Sequence, residues 1–180
     1  MLKVTEIKLE VLTDINMYVF IQKGIRGGIV QCCRRHAKSY NQYMSNFKEE
    51  NPSEYIMYLD VNNLYGWAMC QNLLYGSFEW IDITDFNVYN IPLNLQFGYI
   101  LEVDLEYPDY LHDHHNDFPF CAESKKPPNS KFNKLITVLT NKSKYVIHYR
   151  NLQQYVKHGL KILKIHRILK FSQSCWLKNI

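Results

Sequence analysis

The chain has 180 residues, of which 47% are hydrophobic and 21% charged, with a formal net charge of +4. This composition is that of a globular domain and excludes a disordered chain, and no apolar stretch approaches the ~18 residues of a membrane span. The five cysteines include no C-x-x-C pair, and the first residues mix lysine and glutamate with apolar side chains. We therefore expect an intracellular, reducing location, with neither a disulfide framework nor a secretory signal, while the compartment itself stays unknown.

The charges are segregated along the chain. Residues 51–123 contain 12 acidic residues and no lysine or arginine, whereas residues 124–180 contain 13 basic residues and no acidic one. Under one interpretation the two segments pair across the fold as salt bridges, each of which contributes little to stability. Under the other, the acidic segment attracts divalent cations and the basic segment binds the phosphates of a nucleic acid. The sequence leaves both interpretations open.

The first elements along the chain surround its glycine cluster. Residues 11–24 predict a helix or a strand that runs into a turn. The glycine cluster at 24–28 follows, and residues 29–30 are expected to form a short strand. Arg34 and Arg35 then begin a small basic patch.

Residues 55–60, with the sequence YIMYLD, form a nearly continuous apolar run of strand length that ends in the carboxylate of Asp60. Such a run predicts a strand buried on both faces. Asn62 and Asn63 are residue types that begin helices, and the apolar residues 64–69 predict a short helix after them.

A strand and a polar loop are predicted next. Residues 73–76 are expected to end the helical unit, and the alternating residues 99–107 predict a half-exposed strand that Pro108 stops. The segment 112–117 contains an H-x-H-H pattern beside aspartates. Because this pattern lacks the fixed helical spacing of a convincing zinc site, we interpret it as a solvated loop.

The last third of the chain contains three further predicted elements. Residues 135–149 predict a β-hairpin. Residues 150–158 predict a helix that Gly159 closes. Residues 160–171 carry a basic residue at every third position, which fits one helical face, but their β-branched content favours a strand.

A carboxylate at the end of a buried strand, followed at once by a helix start, defines a candidate site. Mg²⁺ prefers one or two carboxylates together with substrate phosphates, so Asp60 is suited to hold it. Free backbone N–H groups at the helix start bind phosphates, and the ring of Tyr65 is placed to lie under a sugar. The alternative is a strand–turn–helix corner, with Asn62 and Asn63 as caps and Tyr65 in the core.

The string YLDVNNLYGWAM at residues 58–69 resembles motif A of family B DNA polymerases. It is most similar to the protein-primed members found in phages, linear plasmids and self-synthesising transposons. Asn63 and Gly66 depart from the common serine and proline, as they do in the transposon-type members. The glycine cluster is similar to the region that joins the exonuclease and polymerase parts, and residues 73–81 and 145–177 resemble palm sequences that lead toward the fingers.

The resemblance implies a DNA-directed DNA polymerase that transfers nucleotides from a dNTP to a primer 3′-hydroxyl with two Mg²⁺ ions. In the family the motif A aspartate, here Asp60, ligates both metal ions, and the carbonyl group of the next residue, here Val61, completes one shell. The position of Tyr65 matches the residue that excludes a 2′-hydroxyl. The triphosphate would be held by backbone amides at Asn62, Asn63, Leu64 and Tyr65. The implied partners are a DNA template and primer, a dNTP and a terminal priming protein, and no membrane.

Candidate DNA contacts come from the resemblance and from the basic segment together. Glycine permits a close approach of two backbones, so the glycine cluster is expected to lie against the template. The DNA-binding candidates are Gly27, Gly28, Arg34, Arg35, Lys161, Lys164 and Arg167.

Parts of the family pattern are missing from the sequence. The second metal-binding aspartate lies in a Y-x-D-T-D type motif in that family, and this sequence contains no such string. We therefore expect a polymerase fragment: a region at 1–50 that precedes the palm, and a partial palm at 51–180 that ends before motifs B and C, with motif A at 58–66. Since one aspartate cannot hold two Mg²⁺ ions tightly, the isolated chain is expected to be inactive.

The expected fold class is α+β, a partial polymerase palm. It should contain a mostly antiparallel sheet with Asp60 on a central strand and helices packed on one face. Two alternatives stay open for the function. One is an inactive remnant of a mobile-element polymerase, and the other is a structural DNA-binding module without catalysis.

Overall fold

The computed structural model describes residues 2–84, 86–92 and 95–178. Short 3₁₀ turns lie at Val88–Asn90 and Asp109–Leu111. In chain order the other elements are α1 (Leu2–Thr5), α2 (Ile15–Gly24), α3 (Leu64–Met69), β1 (Leu73–Ile81), β2 (Phe97–Glu106), α4 (His112–His115), β3 (Glu123–Lys125), β4 (Lys134–Ile136), β5 (Lys142–His148), α5 (Tyr149–Lys157) and β6 (Lys161–Ser174). Together they form an α+β fold, as the sequence predicts.

Four strands form the main sheet in the order β1-β6-β2-β5, and each neighbouring pair is antiparallel. The strand predicted at 160–171 is confirmed as β6, which has 14 residues and lies between β1 and β2. The strand predicted at 99–107 is confirmed as β2, but it is mostly buried rather than half-exposed, because β5 and β6 flank it and helices cover its faces. β3 and β4 form a separate two-stranded sheet. The predicted antiparallel sheet is confirmed.

The hydrophobic core lies on both faces of the main sheet. Successive residues of a strand point to opposite faces, and the β2 neighbours Ile100 and Leu101 belong to two different hydrophobic clusters. The cluster of Leu101 contains Leu152 of α5, whereas the cluster of Ile100 contains Phe20 of α2. The helices therefore pack on both faces rather than on the one that the sequence predicts, because β2, β5 and β6 are apolar at both alternating positions.

Strand partners differ from those that the sequence suggests. The hairpin predicted at 135–149 does not form, since β4 pairs with β3 and β5 pairs with β2. Residues 73–76 do not end a unit but begin β1, whose register with β6 shifts on either side of Gly76. Residues 29–30 form no strand. Alternation and turn residues indicate where a strand lies, but not which distant strand supplies its hydrogen bonds.

The helix predicted at 150–158 is confirmed as α5. Its N-cap is His148, whose Nδ1 accepts a hydrogen bond of 3.4 Å from the backbone N–H of Arg150. Gly159 follows the helix with φ at +101°, a backbone conformation that favours glycine and ends helices. None of the helices in the described ranges is long and apolar enough to cross a membrane. The division of the chain at residue 50 stays a prediction.

Candidate active site

Asp60 and the residues before it lie on the surface. The segment 55–61 belongs to no helix or strand, and the side chains of Tyr58 and Leu59 are 88% and 81% exposed. Asp60 itself is exposed. The prediction of a strand buried on both faces, with Asp60 on a central strand, is therefore wrong.

This segment is exposed because no described strand pairs with it. A strand is stable only when neighbours satisfy its backbone hydrogen-bonding groups, and the main sheet is made of β1, β6, β2 and β5. The nearest ladder contact in the described part of the chain is an isolated bridge between Tyr40 and Glu54, just before the segment. The apolar composition of 55–61 thus reflects a tendency to form a strand that no described neighbour completes.

The helix after Asp60 forms as predicted. Asn63 is the N-cap of α3, and its side-chain Oδ1 accepts a hydrogen bond of 3.2 Å from the backbone N–H of Gly66. The φ of Asn63 is 53°, a left-handed conformation that asparagine adopts more readily than most residues. Tyr65 is 86% exposed, so the alternative that places its ring in the core is wrong.

The candidate nucleotide-binding residues form one exposed stretch that sequence adjacency brings together. It consists of Asp60, Val61, Asn62, Asn63, Leu64 and Tyr65. Among the residues that the structure describes, no group of three or more histidine, cysteine, aspartate or glutamate side chains is arranged to hold a metal ion. With Asp60 as its one carboxylate, this stretch does not by itself fit a two-magnesium centre, and such a centre would need a carboxylate from elsewhere.

The charged segments pair with each other across the sheet. β6, from the basic segment, lies between β1 and β2 of the acidic segment, so opposite charges face one another. Within the described ranges the lysine and arginine pairs between the segments include Glu79–Lys170, Glu102–Arg167, Glu106–Lys161 and Glu123–Lys142. The sheet order thus accounts for much of the segregation.

This pairing bears on the DNA-binding candidates of β6. Arg167 donates two hydrogen bonds to Glu102, and Lys161 lies 3.0 Å from Glu106. Lys164 is exposed and is the register partner of Asp104. Lys161 and Arg167 are therefore paired with carboxylates. Of the three candidates on this strand, Lys164 is the most available to bind a phosphate.

The remaining DNA-binding candidates lie at the glycine cluster and just after it. A Cβ atom built at Gly27 or Gly28 would meet no heavy atom within 4 Å, so neither glycine is required by close packing inside this chain. Gly28 has φ at +74°, which favours glycine for its conformation. Arg34 forms an exposed ion pair of 3.6 Å with Asp117, and Arg35 is exposed. Their role as DNA contacts stays a prediction.

The polar loop predicted at 112–117 is partly helical and partly packed. α4 lies within it, and Nδ1 of His115 is 2.8 Å from the hydroxyl oxygen of Tyr107. The ring of His115 also packs edge-on against Phe120, with ring centroids 4.9 Å apart. Burial lowers the pKa of His115, which favours the neutral ring. His115 therefore contributes to packing rather than to a solvated loop.

A groove between α3 and α5 was not predicted from the sequence. Its volume is about 880 Å³, within the range of roughly 300–1,000 Å³ that is usual for ligand clefts. Trp67 and Tyr89 line it together with polar residues, most of them on α5: Gln71, Arg150, Asn151, Gln154, Lys157 and His158. The sequence did contain a sign of its polar wall, because Arg150, Gln154 and Lys157 have the i, i+4, i+7 spacing of one helical face. The sequence does not show that Trp67 lies at the same groove.

A histidine with a strongly lowered pKa lies at the N-terminus of α5. The ring of His148 packs against Tyr149 and Phe171, with centroids 4.7 and 5.9 Å away. Burial, with a smaller contribution from the charge of Arg150, lowers the pKa of His148 to about 4. His148 is therefore neutral near pH 7, and its Nδ1 lone pair stays available to cap the helix.

No protein-family model matches this chain, and neither a curated protein nor a solved structure matches it. The resemblance of residues 58–69 to a polymerase motif therefore stays a prediction, and the function is a matter for proposal.

Proposed function

We propose that this chain is part of the palm of a family B DNA polymerase and contributes to template-directed transfer of nucleotides to a primer 3′-hydroxyl. The observation that carries the proposal is the sequence of residues 58–69, in which Asp60 and Tyr65 have the spacing of motif A. The α+β fold with an antiparallel sheet agrees with such a palm.

The exposure of the motif supports a binding role. A contiguous exposed apolar patch usually marks an interaction surface, and Tyr58, Leu59, Val61 and Tyr65 are 63–88% exposed within one stretch of eight residues. Asp60 lies within this patch. A ligand or a further strand that covers the patch would bring its own polar groups next to the Asp60 carboxylate.

Within the proposal the two exposed side chains have different roles. Asp60 supplies one carboxylate of the metal site, and the ring of Tyr65 selects deoxyribose by occupying the space of a 2′-hydroxyl. Because the described residues provide no complete metal site, the isolated chain is expected to bind a nucleotide weakly and not to copy a template.

Nucleotide binding in the presence of Mg²⁺ tests the role of Asp60. A fluorescent dNTP titrated with the protein should show weaker binding to Asp60→Asn by about tenfold or more, since a contact to a charged group is worth about 1.5–3 kcal/mol. Asp113→Asn is the matched control, because Asp113 is an exposed carboxylate on α4. Equal binding by the wild type and Asp60→Asn would contradict the proposal.

Sugar selection tests the role of Tyr65. The wild type should bind a dNTP more tightly than the corresponding rNTP, and Tyr65→Ala should reduce that preference. Tyr110→Ala is a suitable control, since Tyr110 is 65% exposed and lies outside the motif. A preference that is unchanged in Tyr65→Ala would remove this residue from the proposed site.

A structural DNA-binding module without catalysis is the second candidate, and the basic groove between α3 and α5 favours it. DNA binding that is insensitive to Asp60→Asn, with a steep salt dependence and no Mg²⁺-dependent nucleotide binding, would support this candidate. An inactive polymerase remnant would behave in the same way. Templated primer extension by the 180-residue chain would instead overturn the expectation that a further carboxylate is required.

A further inference from the structure

The groove between α3 and α5 presents aromatic rings to solvent. Trp67 and Tyr89 both line it, and their side chains are 62% and 60% exposed. Stacking of an unpaired base on such a ring contributes about 1–3 kcal/mol per base and tolerates any base type. Two rings in one groove therefore form a platform that suits nucleobases.

The charge of the groove is complementary to phosphate. Arg150 and Lys157 line it, and no aspartate or glutamate is among its lining residues in the described part of the chain. Lys157 is exposed and has no carboxylate within 4 Å among the described residues. Lys161 and Arg167 of β6 differ from Lys157, because both pair with carboxylates.

Side-chain amides supply the third type of group. Gln71, Asn151 and Gln154 line the groove, and an amide carries donors and an acceptor that match the edges of bases. Gln71 uses one of its donors on the backbone oxygen of Trp67, at 3.2 Å. Aromatic faces, cations and amides in one groove, without an acidic group in its described lining, suit a nucleotide chain better than an acidic peptide, which has no flat rings to stack.

The wall that carries Tyr89 is fixed to α5. Nε2 of Gln153 donates hydrogen bonds to the backbone oxygens of Val88 and Ile91, at 2.7 and 2.9 Å. These bonds hold the 3₁₀ turn against the helix from both sides of Tyr89. This wall of the groove is therefore preformed, which reduces the entropy lost on binding.

We propose that this groove binds a single strand of nucleic acid, with bases stacked on Trp67 and Tyr89 and phosphates next to Arg150 and Lys157. A single strand fits better than a duplex, since paired bases expose no faces for stacking. The inference rests on the proposed function, because it takes DNA as the partner of this chain, and it adds the surface on which an unpaired strand lies.

Binding of a fluorescein-labelled oligo(dT), measured by anisotropy on the full 180-residue chain, tests the inference. Trp67→Ala and Tyr89→Ala should each weaken binding by about tenfold, as expected for one lost stacking contact. Lys157→Gln should weaken it less and reduce the salt slope by about one. Circular dichroism of each variant checks the fold, and Trp67→Leu provides a second variant of similar apolar character.

Matched controls lie outside the groove. Tyr110→Ala removes an exposed tyrosine, and Lys48→Gln removes an exposed lysine outside the basic segment. Both should bind oligo(dT) as the wild type does. The inference is overturned if the groove variants bind oligo(dT) like these controls. It is also overturned if a duplex of the same length binds the wild type as tightly as oligo(dT) does and Trp67→Ala does not weaken that duplex binding. Displacement of labelled oligo(dT) by polyglutamate at a concentration similar to that of unlabelled oligo(dT) would overturn it as well.

Titrations with oligo(dT) and with a dNTP together separate this inference from the polymerase proposal. Asp60→Asn should lose Mg²⁺-dependent dNTP binding but keep oligo(dT) binding. Loss of dNTP binding in Asp60→Asn, together with oligo(dT) binding that no groove variant changes, would overturn the groove inference and leave the polymerase proposal in place. Oligo(dT) binding that requires Trp67, without any nucleotide binding by the wild type, would support the groove and contradict the polymerase.

Discussion

Glu102 on β2 and Arg167 on β6 are register partners, and two hydrogen bonds of 2.9 Å join the guanidinium group to the carboxylate. The guanidinium group also lies over the rings of Phe20 and Trp80, 4.9 and 5.5 Å from their centroids. Glu102 is only 6% exposed, and the hydrogen bonds from Arg167 lower the pKa of Glu102. The acidic and basic segments of the chain thus meet inside the sheet, as an ion pair fixed by two hydrogen bonds and two aromatic rings.

Arg167→Met should destabilise the protein by about 1–3 kcal/mol. The substitution leaves the buried carboxylate of Glu102 unpaired, and the partial exposure of Arg167 keeps the loss below that of a fully buried pair. Urea unfolding at neutral pH measures the loss. The double variant Glu102→Gln/Arg167→Met should recover part of it, and Lys161→Ala, which breaks an exposed pair, should cost less than about 1 kcal/mol. Unchanged stability with weaker DNA binding would show instead that Arg167 serves as a phosphate contact.

Stability should fall on acidification because of His148. Burial lowers its pKa to about 4, whereas an unfolded chain binds a proton on histidine at about pH 6.5. The unfolded state therefore takes up the proton first, and stability is lost as the pH falls from about 6.5 to about 4, by up to about 3 kcal/mol. Urea unfolding across this range measures the loss.

The contribution of His148 can be separated from that of the other titrating groups. His148→Asn keeps a good N-cap residue for α5 but removes the titration, so its stability should depend less on pH between about 4 and 6.5. His36→Asn, at an exposed position, is the control and should follow the wild type. Parallel pH profiles for all three proteins would refute the assignment.

Gly98→Ala should destabilise the sheet by about 1–3 kcal/mol. A Cβ atom at this buried position of β2 would lie 2.5 Å from Cε2 of Phe171 and 2.7 Å from Oε1 of Gln173, and both side chains are themselves buried. The midpoint of urea unfolding measures the effect. Gly27→Ala is the matched control, because its Cβ meets open space, and it should change stability by less than about 0.5 kcal/mol. Equal stability of the two variants would show that the ring of Phe171 moves at little cost.

Cys121 should resist alkylation in the folded protein. It is 1% exposed, and burial raises its pKa to about 12, so the reactive thiolate is scarce near neutral pH. The exposed Cys32, Cys33 and Cys175 should react with iodoacetamide first, and peptide mass spectrometry distinguishes the sites. Denaturant should make Cys121 react as fast as the others. Early labelling of Cys121 without denaturant would indicate that the core around it opens.

The sequence by itself determined the helices α3 and α5 and the strand β2, and for β6 it favoured a strand over one helical face. Helical hydrogen bonds and caps involve residues a few positions apart, so Asn63 and Gly159 mark helix ends that are visible in the sequence. Alternating apolar residues likewise indicated β2. The exposed motif at 58–69 was found in the same way, as a string of adjacent residues.

Only the tertiary structure decided which elements meet. Strand hydrogen bonds join residues far apart in sequence, so the sequence could not show that β5 pairs with β2, or that the apolar segment 55–61 lies outside the sheet. The sequence left open whether the charged segments pair. They do, because β6 of the basic segment lies between β1 and β2 of the acidic segment. The groove with Trp67 on α3 and Lys157 on α5 exists for the same reason, because a surface is formed by the packing of elements and not by their order along the chain.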